Sequence, residues 1–356
     1  MTSYQDIQKF SLRPKLADRT LAKHIEVIRE LYTIRRDGME VKEWSEEEVT
    51  AYASFYLPTN QQKFSFVMDQ LTDELKASLS SCQVIDFGTG PGTYLLSFLE
   101  AFGGQDCGHL YGVDINPTMM AQAEKLLHGL YPDLKTKIHF QEEVTNYSDA
   151  RGKLMIFGNS LNELDHKKVF EIIKKVRPDF LLFIEPGIPT VFDEIIQLRT
   201  LLKGEGWDCH YPCPSMNACP LVKEEMEETD WCHQVWRGTH EPEVEHLAQL
   251  AKIDRRTMPF IGHLYSRKET VDISPAPVKA RFIRFISESK HSFEWEVCVN
   301  AEDELKKERF EIPKKLFSKK EAKEMKKISV GTNFDYEVDK TLGNGVVRLK
   351  SFTVKS

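Results

Sequence analysis

The stretch Val84-Ile85-Asp86-Phe87-Gly88-Thr89-Gly90-Pro91-Gly92-Thr93 leads from an apolar strand directly into a run of alternating glycines. A helical pattern, TYLLSFLEAF, begins at Thr93. Glycines let the backbone pass close beneath a ligand, and the free N–H groups at a helix start bind anions. The dinucleotide motif G-x-G-x-x-G does not fit, because Thr93 stands where its third glycine would be. The turn therefore predicts a site for another ligand.

The glycines fall at 88, 90 and 92, and Asp86 precedes the first by two residues. This pattern resembles the D/E-x-G-x-G-x-G motif of class I S-adenosylmethionine methyltransferases. The resemblance implies a ligand that is a sulfonium amino acid joined to adenosine, without a pyrophosphate. Its carboxylate would use the helix N-terminus, and Asp86 would serve its ammonium group. We therefore expect Asp86, Gly88, Gly90 and Gly92 to form the cofactor-binding loop.

Outward from this loop, short apolar strands alternate with helices from Gln83 to about Gly204. The strands are QVIDFG, HLYGVDI, KIHFQEE, KLMIFGN and FLLFIEPG. Alternation of this kind predicts a parallel sheet with helices on both faces. The predicted fold class is therefore α/β, with a Rossmann-like core of the class I S-adenosylmethionine-dependent methyltransferase type.

Polar side chains follow the next strands of this predicted sheet. Asp114 ends the second strand, where an acid can accept both ribose hydroxyls, as in dinucleotide folds. Glu142 or Glu143, after the third strand, lies where such folds often contact adenine. Asn159 follows the fourth strand and would face the crevice where substrate meets methyl donor. No residue is a convincing catalytic base, so the catalytic residues stay unassigned.

The rest of the chain divides around this core. Residues 1–80 are predicted to be helical, with a Ser cap at SEEEV and a third helix from about Asn60. The core then spans 81–204, an irregular cysteine-rich segment 205–273, and a β-rich module 274–356. The module contains KKERFEIPKKLFSKKEAKEMKK, which by itself is typical of a solvated helix face. Nucleic-acid contact is the second interpretation of this lysine-rich segment.

Composition narrows the class of protein. The chain has 356 residues and a formal net charge of -7, which argues mildly against nucleic-acid binding through the whole surface. No apolar run reaches transmembrane length, and the N-terminus lacks the apolar core of a secretory signal. We therefore expect a cytoplasmic protein without membrane contact. Its seven cysteines are expected to be reduced thiols, and clustered thiols in a reducing compartment favour a metal site.

Four cysteines lie together in the segment CHYPCPSMNACPLVKEEMEETDWC, which ends at Cys232. A site with four thiolates suits zinc or an iron–sulfur cluster. The spacing C-x3-C-x5-C-x12-C matches neither zinc-ribbon pairs nor the ferredoxin run, so buried thiols that merely pack are the alternative. His210 and His233 adjoin cysteines and are possible ligands, although an outer position is expected for each.

Several motifs together resemble a known family. They are Glu185-Pro186-Gly187 after the fifth strand, Pro212-Cys213-Pro214, Cys219-Pro220-Leu221 and Asp230-Trp231-Cys232-His233. With the class I core, this combination is similar to the small-ribosomal-subunit methyltransferase-like family. That family comprises bacterial proteins and a mitochondrial factor that acts in small-subunit assembly. The resemblance implies an iron–sulfur cluster with four cysteine ligands and association with small-subunit rRNA.

The resemblance also implies a particular set of ligands. Cys213, Cys219 and Cys232 match the family motifs, and the fourth ligand would come from a later strand. Cys298, in FEWEVC, occupies that place. Cys209 is then a spare thiol, or the fourth ligand if the later strand does not reach. Four thiolates fit a [4Fe–4S] cube most simply.

Three functions are compatible with these residues. The first is a factor that binds S-adenosylmethionine and an iron–sulfur cluster, contacts small-subunit rRNA in ribosome assembly or translation, and methylates that rRNA. The second is a catalytically silent assembly factor, and the third is a small-molecule methyltransferase with a structural zinc site. For either ribosomal function we expect a monomer that contacts RNA through lysines of the lysine-rich segment: Lys306, Lys307, Lys314, Lys315, Lys319, Lys320, Lys326 and Lys327.

Overall fold

A computed structural model describes residues 2–33, 43–145, 147, 152–161, 163–222, 231–275, 277–301 and 304–354. Asp230, which belongs to one of the motifs given above, lies outside these ranges. None of the helices in the described ranges combines the length and apolarity that a membrane span requires.

A central sheet contains eight strands: β1 (Gln83–Phe87), β2 (Leu110–Val113), β3 (Ile138–Gln141), β4 (Lys153–Gly158), β5 (Phe180–Pro186), β6 (Trp207–Tyr211), β7 (Gln234–Arg237) and β8 (Thr257–Arg267). The order is β3-β2-β1-β4-β5-β8-β6, and β7 pairs with β8. The first five strands are parallel, and β8 is antiparallel to β5 and β6. The five predicted strands are therefore all present, which confirms the α/β fold.

The strand order reverses between β1 and β4, because β2 and β3 lie on one side and β5 on the other. In open α/β sheets, ligands bind at the carboxyl ends of the strands beside such a switch point. Both the glycine turn after β1 and Asn159 after β4 lie at these ends. The topology therefore places the predicted cofactor loop and the predicted crevice next to each other.

Helices surround the sheet: α1 (Tyr4–Lys9), α2 (Asp18–Thr33), α3 (Glu46–Met68), α4 (Asp73–Ser80), α5 (Thr93–Phe102), α6 (Pro117–Leu130), α7 (His166–Val176), α8 (Pro189–Gly204) and α9 (Pro242–Leu250). Of these, α2 and α9 pack on α3 in a separate core. Alternate residues of each strand enter different cores, as Val84 and Ile85 of β1 show. One core contains residues of α3, α4, α5 and α6, and the other contains residues of α7 and α8. The sheet is therefore buried on both sides.

The N-terminal helices differ in one respect from prediction. Ser45 caps α3 as expected, because its hydroxyl accepts the N–H of Glu48 at 3.2 Å and the Glu48 carboxylate accepts the N–H of Ser45. The helix does not end before Asn60, however, but continues through Pro58 to Met68. Most of its residues are buried against α2, α5 and the sheet. This packing outweighs the local cost of the proline, which sequence patterns cannot measure.

The segment 205–273 contributes strands to the sheet, which the sequence did not predict. β6 pairs with β8 up to Tyr211, and β7 pairs with β8 from Gln234 onward. Both strands lie on the side of β8 that faces away from β5. The cysteine-rich chain thus leaves the sheet edge at Tyr211 and returns to it at Gln234. Both ends of this excursion are fixed by strand pairing.

The C-terminal strands form a closed five-stranded barrel: β9 (Ala280–Glu288), β10 (Ser292–Ala301), β11 (Glu304–Pro313), β12 (Asn333–Thr341) and β13 (Val347–Val354), in the order β10-β11-β13-β12-β9. β11 and β13 are parallel, and the short helix α10 (Lys319–Glu324) lies between β11 and β12. This is the arrangement of an OB-fold. Trp295 and Phe334 fill its interior with other apolar side chains.

The barrel shows that the helical interpretation of the lysine-rich segment was wrong for its first half. ELKKERFEIP is strand β11, in which Leu305, Phe310 and Ile312 are buried. Only six residues, Lys319–Glu324, form an α-helix, and a capping box of Ser318 and Glu321 begins it. The dense lysines concealed an apolar spacing that the barrel core requires.

Candidate functional site

The glycine turn follows β1 and ends where α5 begins. Gly88, Gly90 and Gly92 have φ values of 71°, 51° and 87°, which residues other than glycine rarely adopt. A Cβ at Gly88 would lie 2.9 Å from the Cβ of Ser160, so the turn approaches the end of β4 closely. A Cβ at Gly90 would meet no atom within 4 Å. Gly90 therefore leaves open the space above the turn.

Asp114 holds this turn from the end of β2. Its Oδ2 accepts the N–H of Gly90 at 2.8 Å, and its Oδ1 accepts the N–H of Asn116 at 2.8 Å. Burial raises the pKa of Asp114, and these two hydrogen bonds oppose that rise. The carboxylate is thus fixed in direction beside the glycine turn, where a ligand hydroxyl can reach it.

A cavity of about 910 Å³ opens above the turn and lies within the range of ligand sites in proteins. It collects five of the predicted cofactor residues: Gly88, Gly90, Asp114, Glu142 and Asn159. Asp86 and Gly92 do not line it. The structure therefore brings together residues from the ends of four parallel strands at one opening.

Asp86 lies beneath the turn. Its side chain is fully buried, and Oδ2 accepts the Thr89 hydroxyl at 2.7 Å. Burial raises the pKa of Asp86 to about 7. Its Oδ1 has no hydrogen-bond partner among the described residues. In this position the carboxyl group lies beneath the turn and is not part of the cavity lining, so its contact with the ammonium group of a ligand stays a prediction.

The end of β4 is held by a buried acid, which the sequence identified only as part of a family motif and not as a residue of the site. Glu185, at the end of β5, accepts the N–H groups of Ser160 and Leu161 through Oε1 at 3.1 and 3.0 Å. Burial raises the pKa of Glu185 to about 8. Asn159 has a φ of 59° and donates through Nδ2 to the Tyr94 hydroxyl at 3.3 Å. This network fixes the crevice side of the cavity.

Aromatic side chains of the N-terminal region line the cavity opposite the sheet. Tyr32, Trp44 and Tyr52 belong to its walls. The ring centroid of Tyr52 lies 6.3 Å from that of Tyr32 and 6.3 Å from that of Trp44, the latter edge to face. The sequence reasoning missed these residues. Their only signal was a concentration of aromatic residues in the region that precedes the core.

The four predicted ligand cysteines come together on the α7 and α8 side of the sheet. Cys213, Cys219, Cys232 and Cys298 all pack in one apolar cluster. Burial, and then the charge of Cys213, raises the pKa of Cys219 to about 12. Burial also raises the pKa of Cys298, and Cys213, Cys232 and Cys219 add to this. These thiols are therefore mutual neighbours despite their distance along the chain.

Cys209 and a histidine that was not predicted join this region. The ligand atoms of Cys209, Cys213 and His263 lie within 4.8 Å of one another, the one such group found in the described ranges. His263 is a buried residue of β8, and its Nδ1 lies 2.6 Å from the Tyr265 hydroxyl. Its place inside an apolar strand was the only sequence signal for it.

The two histidines named from the sequence lie elsewhere. His210 hydrogen-bonds through Nε2 to the Ser266 hydroxyl at 2.7 Å. His233 stacks on Trp231 with ring centroids 5.6 Å apart. Neither belongs to the group of ligand atoms formed by Cys209, Cys213 and His263, and their outer position stays a prediction. The histidine whose nitrogen lies within 4.8 Å of two cysteine sulfur atoms therefore comes from a strand of the core, β8.

Most of the named lysines lie beside acids. Lys314 and Lys326 both bind Glu288, at 2.6 and 2.8 Å, and Lys307 lies 3.6 Å from Glu296. Lys306 and Lys327 pair with Glu304 and Glu324. In the described part of the chain, no ion pair is seen for the remaining three, Lys315, Lys319 and Lys320.

This chain is similar to a curated protein, to several solved structures and to one family model. A small RNA 2'-O-methyltransferase of Arabidopsis thaliana is 28% identical over 142 residues, 39% of this chain and 13% of that protein. This chain thus spans about an eighth of that relative.

Among solved structures, M. capricolum TrmK in complex with S-adenosyl-homocysteine shares 11% identity over 56% of this chain and 70% of that chain, with a TM-score of 0.32. A SAM-dependent methyltransferase from Thiobacillus denitrificans, also with S-adenosyl-L-homocysteine, shares 12% identity over 56% and 93%, with a TM-score of 0.33. A family model matches residues 46–326, which run from the start of α3 through the core to α10 of the barrel. The chain therefore belongs to the family described as Mitochondrial small ribosomal subunit Rsm22.

Proposed function

We propose that this protein is a methyltransferase-like factor that binds S-adenosylmethionine and acts on the small ribosomal subunit in assembly or translation. The observation that carries the proposal is the cavity at the switch point of the sheet, where Asp114 and the glycine turn meet. Membership of a small-subunit protein family supplies the partner.

The cavity residues suit S-adenosylmethionine in defined ways. Asp114 would accept the ribose hydroxyls, and Glu142 at the rim would contact the adenine. The turn from Gly88 to Gly92 would receive the amino-acid part near the start of α5. When bound, S-adenosylmethionine supplies an electrophilic methyl group, whose transfer depends chiefly on alignment with an acceptor. Asn159, held by Tyr94, would line the path of that acceptor.

We further propose that Cys213, Cys219, Cys232 and Cys298 hold an iron–sulfur cluster. A tetrahedral zinc site with Zn–S bonds of about 2.3 Å brings its sulfur atoms to about 3.8 Å from one another. No three of these four sulfur atoms lie within 4.8 Å of one another. Their wider spacing favours a centre larger than a single ion, and a four-thiolate [4Fe–4S] cluster supplies one.

Zinc is the second candidate, and Cys209, Cys213 and His263 favour it because their ligand atoms are close enough for one ion. Purification without oxygen, followed by analysis of iron, zinc and sulfide, distinguishes the two. We expect iron and sulfide in Cys209→Ser as in the wild type, and their loss in Cys298→Ser. Zinc that is retained in Cys298→Ser and lost in Cys209→Ser would contradict the cluster.

We propose RNA contact for the lysine-rich segment, which in the structure comprises part of β11, the helix α10 and the turns around it. Lys319 and Lys320 are exposed and show no ion pair in the described ranges, so a phosphate would meet them without breaking one. Phosphate contacts release counterions, so binding that uses them weakens steeply with salt.

The proposal is tested by sedimentation of the tagged protein with small-subunit particles over a range of salt concentrations. Lys319→Glu/Lys320→Glu should sediment with the particles less than the wild type, and Lys306→Glu serves as a matched control because Lys306 already faces Glu304. Protein that stays free of particles at every salt concentration would contradict the proposal.

Incubation with labelled methyl donor and immature small-subunit rRNA separates an active enzyme from a silent factor. Label in the rRNA that is lost in Asp114→Asn shows transfer. Particle binding without label shows the silent role. Label in small molecules alone would favour the third function considered from the sequence.

A further inference from the structure

Two arginines are buried beside the cysteines. Arg199 on α8 and Arg281 on β9 are each only 2% exposed. A buried guanidinium group is stable only where an anion or several hydrogen bonds compensate for the loss of water. No carboxylate of the described residues pairs with either of them, although most surface arginines of the barrel have one, such as Arg309 with Glu294.

The surroundings of Arg281 show which groups could compensate its buried positive charge. Arg281 lies directly opposite Cys298 in the pairing of β9 with β10. The ionisable groups around it include Cys232, Tyr211, Cys213 and Cys298, and burial and then its charge lower the pKa of His233 and His263. Its Nε and one terminal nitrogen are buried without a hydrogen-bond partner among the described residues. The barrel thus carries two unused donors into the cysteine cluster.

Arg199 approaches the same cluster from the core. One of its terminal nitrogens donates to the carbonyl oxygens of Ser215 and Asn217, in the loop between Cys213 and Cys219. Its Nε is buried and has no partner among the described residues. The charged form of Arg199 is favoured by Cys213, Tyr265, Cys209 and Cys219, against the effect of burial. Arg199 therefore both shapes the ligand loop and faces its thiols.

We propose that Arg199 and Arg281 are positioning residues that neutralise the thiolate-bound centre, and that Arg281 donates hydrogen bonds to its sulfur atoms from the barrel. This inference rests on the proposed function, because it requires the centre to be present. Four thiolates around a doubly charged core leave two negative charges, and two guanidinium groups balance them. The barrel would then be held to the core by Cys298 and by the Arg281 charge beside it.

The test compares Arg281→Gln, Arg281→Lys and wild-type protein, all purified without oxygen. Arg348→Gln is the matched control, because Arg348 lies on β13 of the same barrel and faces Glu311 and Asp339. The readouts are iron and sulfide content, the midpoint reduction potential of the cluster, and hydrogen exchange of β9 and β10.

In Arg281→Gln we expect at least a tenfold shift of the one-electron reduction equilibrium toward the oxidised form, which is 59 mV. The reason is that reduction adds negative charge beside a lost positive charge and lost hydrogen bonds. Amide exchange in β9 and β10 should become faster. Arg281→Lys should lie between Arg281→Gln and the wild type, and Arg348→Gln should match the wild type.

If Arg281→Gln holds no cluster while Arg281→Lys does, the charge role is supported. Equal potentials and equal exchange in all four proteins would overturn the role of Arg281 while leaving the cluster intact. Wild-type protein without iron and sulfide would instead refute the cluster itself, so the two failures can be told apart.

Discussion

Asp114→Asn is the most direct perturbation of the proposed S-adenosylmethionine site. The wild-type carboxylate accepts N–H groups of Gly90 and Asn116 through different oxygens. The amide of asparagine replaces one of these oxygens by an NH₂ group, which cannot accept a backbone N–H or serve a ribose hydroxyl in the same way. A hydrogen bond to a charged group contributes about 1.5–3 kcal/mol. We therefore expect the dissociation constant for S-adenosyl-homocysteine to rise about 10- to 150-fold.

Isothermal titration calorimetry with S-adenosyl-homocysteine measures this change. Asp133→Asn is the matched control, because it removes the same charge from an exposed residue that does not line the cavity. Circular dichroism on both variants shows whether the fold is kept. If Asp114→Asn binds within twofold of the wild type while Asp133→Asn does the same, Asp114 does not hold the donor and the assignment of the cavity fails.

Two further predictions concern the framework of the cavity. Gly158→Ala should lower the free energy of unfolding by about 1–3 kcal/mol, because its Cβ would lie 1.8 Å from Cε2 of the buried Tyr94. Gly204→Ala is the control, because a Cβ there meets nothing within 4 Å. Urea denaturation compares the two variants, and equal effects would refute this packing. Asp86 has a folded pKa raised to about 7, so its stabilising contribution is full at low pH and is lost as the pH rises through that value. Between pH 6 and pH 8 the wild type should lose about 1.4 kcal/mol that Asp86→Asn keeps, and parallel loss in both proteins would show that Asp86 does not titrate there.

The sheet core could be predicted because its strands carry their own signal. Parallel strands buried on both faces are continuous apolar runs, such as the one around Leu182. β8 escaped prediction because Pro259 and Gly262 interrupt its apolar pattern. These residues are tolerated there since tertiary contacts fix the strand: Gly262 donates its N–H to the Gln234 side chain at 2.7 Å.

The floor of the cavity could be predicted for a related reason. Asp114 and Asn159 each follow a strand directly, so the strand order alone brings them to one edge. Tyr52 of α3 and Trp44, which lies just before α3, reach the same cavity from a region that precedes the core by many residues. Only the packing of α2, α3 and α9 determines where these rings lie, and no local motif records it.

The fourth thiol illustrates a third case. The spacing of cysteines in the sequence could not decide whether Cys209 or Cys298 is the fourth ligand. In the structure, both thiols are buried in the same apolar cluster as Cys213. The choice depends on the register between β9 and β10, which sets Cys298 opposite Arg281 on the outer face of the barrel. Bulges in this pairing alter the register near Trp295 and Val297, so the outward direction of Cys298 is a property of the assembled barrel.

The orientation of the barrel also bears on how it can meet RNA. OB-folds bind oligonucleotides across their second and third strands, which correspond to β10 and β11. Part of this face is covered, since Cys298 and Leu305 are buried with residues of the core. The part that is less covered carries both charges, because Glu294 of β10 pairs with the exposed Arg309. A barrel that uses this face to hold the core leaves phosphate contact to the lysines between β11 and β12.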